Sequence, residues 1–125
     1  MDRKSNIADS ILPTLLGGGL RANLFAMKIY LKLGIVSYIC SERCSMLTLL
    51  NPAARHFSTV SDKNPDIVCS ALDYLTRDGE FLAVLVPCTD LALNTVREKI
   101  EFLEERFIVA DQGSFFDLKP MILLK

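Results

Sequence analysis

An α/β fold, with one open and mostly parallel five-stranded sheet between two layers of helices, is predicted by three observations. Short apolar runs rich in β-formers alternate along the chain with segments whose apolar residues recur at helical spacing. The first such run, Leu15-Leu16, passes through Gly17-Gly18-Gly19 straight into a helical pattern at Leu20. The chain has 125 residues, half of them apolar, which suits one compact domain with a real core.

Residues 1–11 are polar and read as an N-terminal extension, frayed or forming a short docking helix around Ile7–Ile11. The domain proper then spans 12–125. Pro13 to Leu16 is a buried strand. From Leu20 to Leu33 the apolar residues Leu20, Leu24, Met27 and Leu31 mark one helical face, which Phe25 and Ile29 widen. Gly34 ends this helix as a left-handed cap, and Ile35–Cys40 is the second strand. A short helix follows within Ser41–Asn51, stopped by Asn51-Pro52. Phe57–Val60 is a brief third strand.

Asn64-Pro65-Asp66 starts the next helix, because Asn caps, Pro fits the first position and Asp favours the helix dipole. Val68, Ala71, Leu72 and Leu75 are its inward face, and Asp78-Gly79 ends it. Phe81–Val86 is apolar throughout and reads as a strand covered on both sides. A helix with Ala92, Val96, Ile100 and Leu103 inward follows Pro87–Asp90. Phe107–Val109 is the fifth strand, and Ser114 starts a last helical turn that Pro120 limits.

Composition excludes several classes. A formal net charge of −1 gives no electrostatic footprint for nucleic acid. No apolar run is long enough to span a bilayer, and Met1–Asn6 lacks the apolar stretch of a secretory signal, so the expected address is the cytoplasm. The cysteines, Cys40, Cys44, Cys69 and Cys88, read as reduced thiols in that setting. His56 is the only histidine, so Cys40 and Cys44 lack the partners a structural zinc site needs. No metal site is expected.

In a sheet of this kind ligands bind beyond the carboxyl ends of the strands. With a Rossmann-like strand order, the first and fourth strands are neighbours at the point where the chain reverses direction across the sheet. The turns Gly17–Arg21 and Pro87–Asp90 then face one crevice. Gly17, Gly18 and Gly19 allow close backbone approach and present N–H groups at a helix start, where anions bind. Arg21 adds a charge-assisted fork for a carboxylate or phosphate. Thr89 and Asp90 suit the cap and first turn of the next helix, and either can also meet a substrate amine or hydroxyl. Cys88 lacks a neighbouring base to make it a nucleophile, so no catalytic residue is expected. Gly17, Gly19 and Ala22 also fit G-x-G-x-x-A, with Glu42 about twenty residues on as a ribose-binding acid.

Four segments carry a family resemblance that spans residues 12–125. They are Leu15-Leu16-Gly17-Gly18-Gly19, Ala54-Arg55-His56-Phe57, Val84-Leu85-Val86-Pro87-Cys88-Thr89-Asp90, and the ending from Leu103-Glu104-Glu105-Arg106-Phe107 to Leu123-Leu124-Lys125. The third resembles a Val-Leu-Ile-Pro-Thr-Ser-Asp segment. Together they resemble the N-terminal pre-ATP-grasp domain of ATP-grasp carboxylate–amine ligases, the group that includes D-aspartate ligase-like and carbamoyl-phosphate-synthase-like proteins. Cys88 and Ala54 depart from that pattern, at positions where small hydroxyl residues are common.

The resemblance implies a role on the substrate side. In such ligases ATP phosphorylates a carboxylate, and an amine or thiol attacks the acylphosphate. The N-terminal domain helps form the substrate cleft, while ATP and magnesium bind in later domains that this sequence does not include. The chain alone is then not expected to catalyse. Its expected partners are a small carboxylate or amine and the missing ATP-grasp domain. Two other readings stand beside it: a dinucleotide-binding module using Gly17, Gly19 and Glu42, and a non-enzymatic domain that forms a homodimer.

Overall fold

The computed structural model describes residues 11–77 and 82–118. Five strands form one sheet: β1 (Ile11–Leu16), β2 (Ser37–Ser41), β3 (Ala54–Ser58), β4 (Leu82–Pro87) and β5 (Ile108–Val109). Between them lie α1 (Leu20–Leu33), α2 (Met46–Leu50), α3 (Pro65–Leu75), α4 (Asp90–Glu98) and α5 (Ile100–Glu104), and a 3-10 helix covers Phe115–Leu118. The strand order is β3-β2-β1-β4-β5, and all four pairings are parallel. This is the Rossmann-like three-layer α/β/α arrangement that the alternation of elements predicts.

Alternation along the strands sorts the core into two clusters, one on each face of the sheet. Leu15, Ile39, Val84 and Val86 meet α1 and Phe115 on one face. Leu16, Cys40, Ala83 and Leu85 meet α3, α4 and α5 on the other. Edge-to-face packing of Phe25 with Phe115 and Phe116 closes the first face against the end of the described chain. Among the described residues no helix is long and apolar enough to cross a membrane.

Local chemistry sets most of the boundaries. Gly34 takes φ 71° and donates its N–H to Tyr30 O, which closes α1 where expected. Asn64 Oδ1 accepts from the Asp66 and Ile67 N–H groups, with Pro65 at the first position of α3. Ser45 and Thr89 cap α2 and α4 in the same way. Pro13 lies inside β1, the middle strand, because the strand begins at Ile11 rather than at Pro13. Its missing N–H forfeits one ladder bond there.

Several expectations need correction. The apolar face Leu20-Leu24-Met27-Leu31 does not pack inward: Leu20, Leu24 and Leu31 are 62 %, 61 % and 76 % exposed. The face on the sheet is Ala22, Phe25, Ala26 and Ile29. Two apolar faces compete on this helix, and periodicity alone does not say which one docks. The alanines let the helix lie close to the sheet, and buried Asn23 is satisfied by Gly19 O at 2.8 Å and Thr48 Oγ1 at 3.0 Å.

The third strand is Ala54–Ser58 rather than Phe57–Val60, because Val60 adopts φ 68°, a left-handed conformation that no strand continues through. The second strand starts at Ser37, two residues after Ile35. The helix expected from Asp90 to beyond Leu103 bends at Lys99, which leaves helical geometry while the hydrogen bonds run on through it. On α3 the buried residues are Val68, Cys69 and Leu72, with Ala71 and Leu75 only half-buried. That helix ends at Leu75, before Asp78-Gly79. Asp78-Gly79, Phe81, the segment before Ile11, Pro120 and the ending Leu123-Leu124-Lys125 lie outside the described residues.

Candidate functional site

The crevice forms where β1 and β4 end side by side. Leu16 and Pro87 are register partners. One residue further on, the Cys88 N–H donates to Leu16 O at 2.8 Å, and the Gly17 N–H donates to Cys40 O at 2.8 Å. The chain then splits, with α1 leaving over one face of the sheet and α4 over the other. This divergence makes the strand ends a concave site.

The two turns touch. A Cβ on Gly17 would stand 2.7 Å from Thr89 Oγ1, and Gly17 takes φ 96°, so glycine is required there on both counts. A Cβ on Gly18 would come within 3.3 Å of Ser41 Oγ at the end of β2. Gly19 also has φ 96°, but a Cβ there would meet nothing within 4 Å. It faces open space at the start of α1.

That helix start is uncapped. Gly19 supplies no side chain, and the first backbone bond is from the Asn23 N–H to Gly19 O. The N–H groups of Leu20, Arg21 and Ala22 therefore have no acceptor within the helix. No acidic residue lies in the first turn to offset the positive end of the dipole. These are the conditions under which a helix start attracts an anion.

Arg21, Pro87, Cys88, Thr89, Asp90 and Gln112 line a cavity of about 300 Å³. Arg21 and Asp90 are both exposed and bring opposite charges to this one space. Neither takes part in an ion pair among the described residues. On the other side of Thr89 lies a second cavity of about 210 Å³, apolar except for Asp62, Thr89 and Thr95. The Thr89 hydroxyl accepts from the Ala92 N–H at 3.0 Å. Its own proton is left to donate. Capping and ligand contact are thus compatible roles for this residue.

Cys88 is buried, and burial pushes its thiol up to about 11. Its Sγ donates to Val86 O at 3.6 Å. His56 does not serve it: its Nε2 is engaged with Ser41 Oγ at 3.1 Å and Ser41 O at 3.2 Å on β3, at the far edge of the sheet. Cys40 and Cys69 are likewise raised by burial, and Cys44 alone is exposed. Among the described residues no cluster of three or more His, Cys, Asp or Glu side chains could hold a metal ion.

Glu42 directly follows β2, where a ribose-binding acid would stand. Its carboxylate accepts from the Asp62 N–H at 3.3 Å, while Asp62 Oδ1 accepts from the Glu42 N–H at 2.8 Å. This reciprocal clasp ties the end of β2 to the loop after β3.

The structure thus divides the expected site between two cavities that share Thr89: Gly17 and Gly18 line the smaller one, Arg21 and Asp90 the larger one, and Gly19 lines neither. Sequence reasoning missed Asp62, Gln112 and Ser41. A signal existed for Ser41, which ends β2 at the carboxyl edge of the sheet. No family model matches this sequence, and no curated protein or solved structure is significantly similar to it.

Proposed function

We propose that this domain is the substrate-side, N-terminal part of an ATP-grasp carboxylate–amine or carboxylate–thiol ligase. The observation that carries the reading is the cavity lined by both Arg21, in the uncapped first turn of α1, and Asp90. A small carboxylate would take hydrogen bonds from the N–H groups of residues 20–22 and from the Arg21 guanidinium. An amine on the same or a second substrate would pair with Asp90, and Thr89 would orient either one. The acylphosphate chemistry, ATP and magnesium belong in this reading to an ATP-grasp domain outside these 125 residues. The chain alone would bind and not catalyse.

A second reading is supported by Glu42 at the end of β2, together with the Gly17-x-Gly19-x-x-Ala22 spacing. It makes the domain a dinucleotide-binding module. One experiment separates the two: thermal unfolding of the chain with NAD, ATP and a panel of amino acids and small carboxylates. The ligase reading expects stabilisation by one or more small carboxylates, lost in Arg21→Ala and reduced in Asp90→Asn. Stabilisation by NAD alone, lost in Glu42→Gln, would replace it with the dinucleotide reading. A flat response to every compound would overturn both.

A further inference from the structure

We infer that the outward face of α1 and α2 is a two-fold interface with a second copy of this chain. The inference does not depend on what the crevice binds. Leu20, Leu24 and Leu31 stand out from α1 into solvent, with Met27 half-buried between them. Every residue of α2 except Thr48 is exposed, and four of its five residues are large and apolar. Asn23 Nδ2 donates to Thr48 Oγ1 at 3.0 Å, and Asn51 Nδ2 donates to Asn23 Oδ1 at 3.0 Å. These bonds hold α2 against the flank of α1, so the two apolar surfaces adjoin.

Three features select a second copy as the occupant. The first is spacing. Leu20, Leu24, Met27 and Leu31 are separated by four, three and four residues, the seam of a helix that packs on another helix. The series reads the same in both directions. An antiparallel pair of α1 helices related by a two-fold axis therefore sets Leu20 against Leu31 and Leu24 against Met27 in every layer.

The second is area. Leu20, Leu24 and Leu31 of α1 and Met46, Leu47, Leu49 and Leu50 of the adjoining α2 are each between 45 % and 76 % exposed. Pairing two copies through α1 would therefore bury apolar surface from both helices, as a stable interface requires.

The third is charge. The cations beside the seam would otherwise repel their symmetry mates. Lys28 and Lys32, however, are drawn back over the Phe116 ring, at 5.4 Å and 4.8 Å from its centroid. Arg21 remains as an exposed cation at the end of the seam, and its repulsion across the interface is one that salt screens. The dimer should therefore tighten as ionic strength rises.

Sedimentation equilibrium of the full chain over a wide range of concentration tests this. The expected result is a reversible monomer–dimer equilibrium that strengthens with salt. Leu24→Glu should weaken it about ten-fold or more, with an unchanged far-UV spectrum. Tyr74→Glu, on the opposite face of the sheet, should leave it intact. In a Cys44→Ser background, Leu20→Cys with Leu31→Cys should yield an oxidised dimer linked from 20 to 31. A chain that stays monomeric at every concentration would overturn the inference. So would a dimer that Leu24→Glu does not weaken, or links only from 20 to 20.

Discussion

The two faces of the sheet are finished to different degrees. On one, α3, α4 and α5 cover β1, β2 and β4 with Val68, Leu72, Val96 and Leu103, and Lys99 and Arg106 tie the helices together through Asp66 and Asp73 at 2.7 Å each. On the other, one long helix, one helix of five residues and a 3-10 turn do the covering, and large leucines point away from the sheet. The contrast teaches that an apolar helix face and a core are separate things. The first face is complete within the chain, while the second is apolar on both sides of α1, which is why we assign its outer side to a partner.

The sharpest way to break this comparison lies within α1. Ile29→Ala, on the inward side, should cost about 3 kcal/mol through lost burial and a cavity. Leu24→Ser, five residues away on the outward side, should change monomer stability by less than about 0.5 kcal/mol. Urea unfolding at the lowest workable chain concentration, where association does not enter, gives both values. Equal losses would mean that the outward leucines belong to the core after all.

A pH scan sharpens the comparison, because the finished face buries two thiols, Cys40 and Cys69, and the other face buries Cys88. Burial raises all three above the ordinary value of 9.0, Cys88 to about 11. The unfolded chain releases these protons first. The stability they contribute is therefore complete below pH 9 and declines as pH rises towards the folded values, by about 1.4 kcal/mol per pH unit for each thiol. Unfolding under reducing conditions should show this slope, and Cys88→Ala should make it shallower without abolishing it.

The smallest effect concerns Ser37. Its hydroxyl is the one buried side-chain polar atom without a partner among the described residues, and it shares a strand face with Ile39 on the α1 side. Ser37→Ala should raise stability by about 1 kcal/mol in the same unfolding assay. A loss of that size would mean that the hydroxyl is satisfied in solution.

The bounds of α1 were legible to the residue, because glycines bracket it and glycine is the residue that tolerates the backbone found at 19 and 34. Its rotation about its own axis was not legible. Leucines outrank alanines in hydrophobicity, yet close approach to the sheet favours alanine. The third strand was misplaced because Phe57–Val60 has the stronger β composition, whereas the left-handed backbone at Val60 is set by the loop that follows. At the site, the meeting of Gly17 with Thr89 followed from topology alone. Asp62 and Gln112 did not, since loop residues reach a crevice through the fold and leave no local pattern.

The central claim is that the open start of α1 and Arg21 hold a small carboxylate. Amide NMR of the labelled chain, titrated with the small carboxylates of the thermal panel, tests it most directly. The account predicts saturable shifts centred on Gly18 to Ala22 and on Thr89 and Asp90, weakened about ten-fold or more by Arg21→Ala. Shifts that avoid these amides, or that appear only with NAD and extend to Glu42, would contradict it.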